Sequence, residues 1–268
     1  MEKRIEFVDY KNEDSYFLFL RKVAQEGPTN YKWQEHSFYE IMLTTEGESE
    51  YVIENRQYVM KAGDLLLIKA GSHHYQQSVI ESPTETYCLG FMPERSESGS
   101  LAEEIFEKGE RFHIGTDSPL AELFDVAKKK LTADKKNAAP FLKSITEAAI
   151  MLLCDLDINT EKLPEIKNKN VQKMLDYIKE NLPEIHKVED IASALFFSDS
   201  YTRTLFKEEM DIGIMEYVRN KKVLLAHRKI RHGRRPSEVY AECGFSNYTS
   251  FYRAYLAYLG HTPRMQKI

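Results

Sequence analysis

Three side chains in the first third of the chain are of the types that hold a metal ion or a polar ligand. His36 and Glu40 lie in His36-Ser-Phe-Tyr-Glu40, and a strand at period two puts His36, Phe38 and Glu40 on one face. His74 closes a later run, Gly71-Ser-His-His74. Two imidazoles and one carboxylate form a chemically sufficient set for a divalent transition metal. Aromatic residues near them suggest a second kind of site. Trp33, His36, Tyr39, Glu40, Tyr51, His74 and Tyr87 are candidates to line a cavity whose aromatic faces and few polar groups suit a small polar effector such as a sugar. The plainer alternative is that these aromatics only fill a core. The last hundred residues carry a different chemistry. Arg219, Lys221, Lys222, Arg228, Lys229, Arg231, Arg234 and Arg235 form a basic run able to neutralise phosphates, or simply a solvated helix face. No Ser-His-Asp arrangement, phosphate loop or glycine-rich nucleotide fingerprint stands out. The pairs Glu103-Glu104 and Glu208-Glu209 sit in helical stretches, so nothing argues for catalysis.

The elements that must position these residues change type near Pro93. From about Glu6 to Pro93 the chain reads as short strands. They are His36 to Thr44, Glu48 to Ile53, Gln57 to Met60, Leu65 to Ile68 and Thr86 to Phe91, separated by turns at Gly47, Asn55 and Gly63-Asp64. Short strands at this spacing predict a β-sandwich or barrel. After the polar break Ser96-Glu-Ser-Gly-Ser100, helical periodicity takes over. Leu120, Leu123, Phe124 and Ala127 make one apolar stripe; Phe141, Ile145, Ala148, Ala149 and Leu152 make a second, with a polar loop from Thr132 to Ala139 between them. These two helices pack on the strands or pair with a second subunit.

Leu163 to Asn170 is a polar linker, and seven helical segments follow. They are Val171–Asn181, Val188–Leu195, Asp199–Glu209, Ile214–Ile230, Ser237–Cys243, Asn247–Tyr258 and a short piece after Pro263. Two of the pairs, Val188 to Lys207 and Glu238 to Tyr255, read as helix-turn-helix units, the usual device for laying a helix in the major groove. An offset of 49 residues relates Ala192 to Ala241, Thr202 to Phe251 and Phe206 to Tyr255, which marks an internal repeat.

Composition agrees with this division. The 268 residues are enough for one large domain or two ordinary ones, with 42% hydrophobic and 29% charged residues. From Ile166 onward there are 18 Lys and Arg against 12 Asp and Glu; before it there are 19 against 30. A basic part carried by an acidic part suggests that one module alone meets nucleic acid. No stretch approaches the roughly 18 apolar residues of a membrane span, and Met1-Glu-Lys-Arg-Ile-Glu-Phe7 lacks an apolar signal core. Cys88, Cys154 and Cys243 form neither a metal-type pair nor an even disulfide set. A reducing cytoplasm is therefore expected, with no membrane contact.

With these residues in view, the chain resembles the AraC/XylS family of transcription regulators. Gly244-Phe-Ser-Asn247, Phe251-x-Arg253 and Gly260-x-Thr-Pro263 match the family signature in the second unit. Ile191-Ala192, Ser198-x-x-Tyr201, Leu205-Phe206-Lys207 and Tyr217 match in the first. His36-x-x-Tyr-Glu40 and Lys61-Ala-Gly-Asp-Leu-Leu-Leu-Ile68, ending at Gly71-Ser-His-His74, resemble a cupin-like sensor barrel. The resemblance implies an α+β two-domain protein: a cupin-like β-barrel with two following helices, then an all-α double helix-turn-helix domain. Residues 1–163 would form the effector-binding or dimerisation domain (barrel about 6–93, helices about 100–156), 164–170 the linker and 171–268 the DNA-binding domain.

By the resemblance, Ser200, Arg203, Thr204 and Lys207 point outward from the first recognition helix, and Asn247, Tyr248, Thr249, Tyr252 and Arg253 from the second. Arg203 and Arg253 are the candidates for reading guanine, whose O6 and N7 a guanidinium can bond together; a phosphate contact is the alternative for either. Ser246 and Asn247 are candidates to cap the second recognition helix. The implied partners are promoter DNA, a small polar effector, RNA polymerase and a second copy of the chain, with no cofactor.

Four positions depart from the family pattern. Asp211 stands where glycine is usual, Lys222 where arginine is usual, and Tyr240 at the small alanine position with Ala241 one place late; Pro236 stands in a helix's first turn. In the barrel, His36, Glu40 and His74 resemble the metal constellation of cupin enzymes, but Gln34 replaces that pattern's further histidine. The resemblance thus favours a metal-free pocket. A metal-dependent cupin enzyme with a DNA module, and a protein-binding regulator with weak DNA affinity, are the alternatives.

Overall fold

Strand periodicity and helix periodicity are realised in separate halves of the chain. The computed structural model describes residues 3–11, 17–25, 33–77, 84–92, 98–133, 137–155 and 164–264, and it divides into two units, Met1–Glu165 and Ile166–Ile268. Pro93, Ser96 and Glu97 of the expected polar break, Lys135 within the expected Thr132–Ala139 loop, and Leu163 lie outside the described residues.

In the first unit the strands are β1 (Lys3–Lys11), β2 (Phe17–Gln25), β3 (Tyr39–Glu46), β4 (Glu48–Ile53), β5 (Arg56–Lys61), β6 (Asp64–Ile68), β7 (His74–Gln77), β8 (Thr84–Phe91) and β9 (Arg111–His113). Three helices join them: α1 (Gly99–Lys108), α2 (Pro119–Ala133) and α3 (Ala138–Cys154). One antiparallel sheet runs in the order β1-β2-β8-β3-β6-β9, and another through β5, β4 and β7.

Period-two alternation decides what each face of the large sheet meets. Ile41, Leu43, Leu65, Leu67, Tyr87, Leu89 and Phe91 enter one core with Phe106 of α1, Phe124 and Leu131 of α2, and Leu142 and Ile145 of α3. Leu66 and Ile68, with Met42 against them, face the other way and pack with Tyr51, Ile53, Tyr58 and Met60 of the smaller sheet. Burying each such side chain contributes about 2 kcal/mol, and both faces of β6 are filled.

Three features correct the sequence expectations. Among the described residues the strands form two sheets rather than a closed barrel; closure depends on hydrogen bonds between edges, which apolar alternation does not encode. Three helices follow the strands instead of two, with β9 returning to the large sheet between α1 and α2. The strand expected from His36 starts at Tyr39, because the chain bends at Ser37–Phe38 and the His36 Nδ1 bonds the Phe38 carbonyl at 2.9 Å.

The second unit contains α4 (Lys169–Asn181), a single 3-10 turn (Leu182–Glu184), α5 (Val188–Ala194), α6 (Asp199–Met210), α7 (Ile214–Arg231), α8 (Pro236–Glu242) and α9 (Tyr248–Leu259). Pro263 and Arg264 lie in no helix, and the rest of the expected end segment is outside the described residues. The half-turn phase of α7 lets one helix serve two cores. Ile214, Tyr217 and Val218 are buried near its start, where the Tyr217 ring meets Phe206 of α6 at 5.3 Å. Val223, Ala226 and Ile230 pack with Val239, Cys243, Phe251 and Tyr255 of α8 and α9.

Candidate functional site

Each helix-turn-helix unit begins its second helix with a side-chain cap. Ser198 is the N-cap of α6, where its Oγ accepts the Tyr201 N–H at 3.2 Å; Asn247 caps α9, its side-chain oxygen accepting the Ser250 N–H at 2.8 Å. Ser246, the other expected cap, is not the N-cap. Thr202, Phe206 and Met210 turn inward from α6, as do Phe251 and Tyr255 from α9. The opposite faces are polar: Ser200, Arg203, Thr204 and Lys207 are exposed on α6, and Tyr248, Thr249 and Arg253 on α9, with Asn247 exposed at its cap and Tyr252 half-buried. Tyr248 also stacks edge-on against Tyr240 and leans on Phe251 and Tyr252. Lys207 bonds the Asp211 carbonyl at 2.6 Å and lies 3.5 Å from its carboxylate, an exposed contact a phosphate could replace at little cost.

The repeat is not a uniform shift. The left-handed turn residues, Phe196 (φ 58°) and Gly244 (φ 78°), are 48 positions apart, whereas the caps Ser198 and Asn247 are 49 apart. One extra residue therefore enters the second turn. Thr202 pairs with Phe251 and Phe206 with Tyr255 as buried residues, but Ala192 is buried and Ala241 exposed, so that part of the expected repeat fails.

Lys222 is the residue whose role the sequence concealed. Its ammonium is buried and donates to the carbonyls of Ile185 at 2.6 Å, Gly244 at 2.9 Å and Pro183 at 3.4 Å. It thereby ties the approach to the first unit to the turn of the second. Burial pushes its pKa down, opposed by the carboxylate of Asp190. Membership of a basic run suggested a solvent-facing charge. A better signal was its place at i+4 from Val218 and i−4 from Ala226, inside the apolar stripe of α7. Other members of the run are also engaged: Lys229 and Arg234 both bond Glu242, at 2.7 and 2.6 Å. Arg219 and Arg228 are exposed.

In the first unit the seven candidate effector residues divide between two faces. Tyr39 packs against Phe106 and Phe91 on the helix side of the large sheet, and Tyr87 packs against Phe124 there while its hydroxyl reaches Asp125. They do not join the others. Tyr51 lies in the core between the sheets. Trp33 stacks on His73 at 4.3 Å and meets Tyr75 edge-on.

His36, Glu40 and His74 converge. The Glu40 Oε2 lies 3.0 Å from His36 Nε2 and 3.8 Å from His74 Nε2, and the rings of the two histidines are 4.9 Å apart. Burial raises the Glu40 carboxyl pKa, but attraction to His36 and then His74 outweighs it and holds the value at about 2. Burial lowers the pKa of His74, only partly opposed by Glu40. Gln34 is exposed, its backbone bridging that of His74, so its side chain takes no part in this cluster.

Comparison with known proteins supplies the deciding observation. Residues 24–151 match the AraC-like ligand binding domain and residues 191–265 match a helix-turn-helix domain. The chain belongs to the AraC/XylS family of transcription regulators. It is 24% identical over 232 residues to LumQ of Photobacterium leiognathi, covering 86% of this chain and 90% of that protein. It is also 24% identical to the Msm operon regulatory protein of Streptococcus mutans over 84% of this chain and 82% of that one. Identity to the transcriptional activator RhaR of Shigella flexneri is 23%, over 85% and 84% of the two chains. A solved structure of ToxT from Vibrio cholerae, bound to an unsaturated fatty acid, aligns over 95% of each chain with 12% identity and a TM-score of 0.37, a likeness that lends the assignment no weight.

As an AraC/XylS-family regulator, the chain is a DNA-binding protein with an N-terminal ligand-binding domain. Its departures from the family pattern have local explanations. Asp211 does take the left-handed cap that glycine usually fills (φ 53°), with its N–H on the Lys207 carbonyl. Pro236 occupies the first turn of α8, where no N–H is needed. Tyr240 is accommodated half-buried against Tyr248. No helix among the described residues is long and apolar enough to cross a membrane.

Proposed function

We propose that this regulator acts as a homodimer in the cytoplasm, recognises promoter DNA by sequence with both recognition helices, and responds to a small polar effector. The observation that carries the DNA reading is the pair of capped helices with polar, exposed faces, joined through α7 and the buried Lys222. In this reading Ser200, Arg203, Thr204 and Lys207 enter one major groove, and Asn247, Tyr248, Thr249, Tyr252 and Arg253 the next, about 34 Å along the duplex. Arg203 and Arg253 read bases, while Arg219 and Arg228 supply salt-sensitive attraction to phosphates. Residues 164–168 link the two domains, the last two positions of the expected 164–170 linker being the start of α4, and RNA polymerase is a further partner. The role is regulatory rather than catalytic.

The effector side rests on Trp33, His36, Glu40, Tyr51 and His74; Tyr39 and Tyr87 are left out because they pack on the helix side. An effector regulates only if it binds two conformations with different affinity. Selection of bound fragments from random duplex DNA by the full-length protein tests the central reading. The expected result is a two-part motif whose halves are about one helical turn apart. Enrichment of no motif, with equal binding to all duplexes, overturns it.

A further inference from the structure

The Nε2 atoms of His36 and His74 converge on the carboxylate of Glu40. Their ligand atoms all lie within 4.8 Å of one another, and the group is buried or nearly so. The Nδ1 of His36 bonds the Phe38 carbonyl at 2.9 Å, and the Nδ1 of His74 bonds the Ser72 carbonyl at 2.8 Å. A carbonyl only accepts, so each Nδ1 carries the hydrogen, and each ring in its neutral form offers its Nε2 lone pair. Both Nε2 atoms face the same carboxylate oxygen, Oε2 of Glu40, at 3.0 and 3.8 Å. His36 Nε2 is shut off from solvent, 3.0 Å from that oxygen. With both rings neutral, these three acceptors in a dry interior repel one another unless a proton or a metal cation lies between them.

The spacing suits an ion. Bonds of about 2.0–2.2 Å to nitrogen and oxygen put neighbouring ligand atoms about 3–3.5 Å apart; Glu40 lies 3.0 and 3.8 Å from the two imidazole nitrogens, and no pair of the three exceeds 4.8 Å, so a small inward shift closes the set. The outer contacts suit it as well. Each ring is oriented by its Nδ1–H on a backbone carbonyl, and the Cys88 thiol lies 3.4 Å from Glu40 Oε1, the pattern that holds ligands in place around a metal. Two imidazoles with one carboxylate select a divalent first-row transition ion over calcium or magnesium, which prefer all-oxygen sets.

We propose that His36, Glu40 and His74 bind one divalent transition-metal ion inside the N-terminal domain. Three protein ligands leave at least one coordination position, which takes an oxygen or nitrogen donor of the effector. The inference rests on the reading of this face as the effector site and names the chemistry that holds the ligand there.

The test uses full-length protein stripped with a chelator and titrated with Co(II), then Zn(II). The expected result is one ion per chain, visible Co(II) absorption that Zn(II) displaces, and a metal-dependent rise in the melting temperature. His36→Gln and His74→Gln each weaken binding at least 10-fold, whereas His113→Gln, at a histidine bonded to Asp64 elsewhere in the domain, leaves it unchanged. Should the variants fold poorly, 15N-histidine spectra of the unaltered protein serve instead: Zn(II) shifts the Nε2 resonances of His36 and His74. No uptake, or uptake that moves neither resonance, overturns the proposal. DNA selection is run on the same stripped and loaded samples. A selected motif without metal uptake overturns the metal site alone; uptake without a motif overturns the DNA reading alone.

Discussion

The two helix-turn-helix units reach one geometry by different chemical means. Each bends through a left-handed residue, yet the first places Phe196 there and the second Gly244. Phe196 is 96% exposed, so its ring meets solvent and the strained backbone is a local cost only. Gly244 has no such freedom: a Cβ there would collide with the Pro183 carbonyl and press on Lys222 Nζ. The second turn is a tertiary contact, whereas the first is a surface bend. The recognition helices differ too. Arg203 on α6 lies in the field of Glu189 and Asp199, while α9 begins in a cluster of tyrosines, Tyr240, Tyr248 and Tyr252. Similar turns can therefore carry unequal structural and functional weight.

The largest expected effect is at the second turn. Gly244→Ala should destabilise the C-terminal domain by about 3 kcal/mol or more, since it adds a clash to a positive φ. Phe196→Ala, at the matching position, should change stability by less than about 0.5 kcal/mol. Thermal unfolding of both variants compares them, and equal losses would show that the turns are equivalent after all.

Lys222→Met tests whether the ammonium is the tie between the units. It leaves the Ile185 and Gly244 carbonyls without their donor and should cost about 2 kcal/mol. Binding to a two-part DNA site should fall more than binding to an isolated half-site. A uniform loss on both would mean that Lys222 supports folding without fixing the spacing.

The reading helices come next. Arg253→Ala should weaken a selected site by roughly 1–3 kcal/mol and relax preference at one base pair. Arg203→Ala should cost about 1 kcal/mol or less, because neighbouring carboxylates already offset its charge. Anisotropy titrations on selected and scrambled duplexes separate base reading from phosphate contact: a loss that is the same on both assigns the arginine to phosphate.

The smallest effect expected is a gain. Phe196→Gly removes the cost of a side chain at positive φ but adds unfolded-state entropy, for a net stabilisation of about 0.5 kcal/mol. A drop in melting temperature would mean that the exposed ring makes a contact worth more than the strain.

Much of the DNA-binding domain could be read from residue order because its signals are local. Asn168, Ser198 and Asn247 cap helices through neighbours two or three residues away, and Thr202, Phe206, Phe251 and Tyr255 are buried through i, i+4 spacing alone. The N-terminal site was less open to such reading. Tyr39 and Glu40 are adjacent, yet one joins the helix-side core and the other the cluster with His36 and His74. Alternation separates two neighbours but does not say which face holds ligand and which holds helices. Tyr87 packs on the helix side, which alternation alone does not reveal, and α1 and β9 leave little trace in the sequence because ten-residue and three-residue elements carry little periodic signal.

Residue order alone established the two-part organisation, the paired DNA-binding units and the polar faces of their second helices. Those follow from short-range rules: capping, turn chemistry and the repeat of apolar side chains along one element. Only the folded chain decided that Lys222 is an internal tie rather than a phosphate contact, and that His36, Glu40 and His74 converge while Tyr39 and Tyr87 turn away. The reason is physical. The pairing of groups 22 to 39 residues apart, as in the contacts of Lys222, depends on how elements pack; spacing within an element can mark a buried face but carries no record of the partner across it.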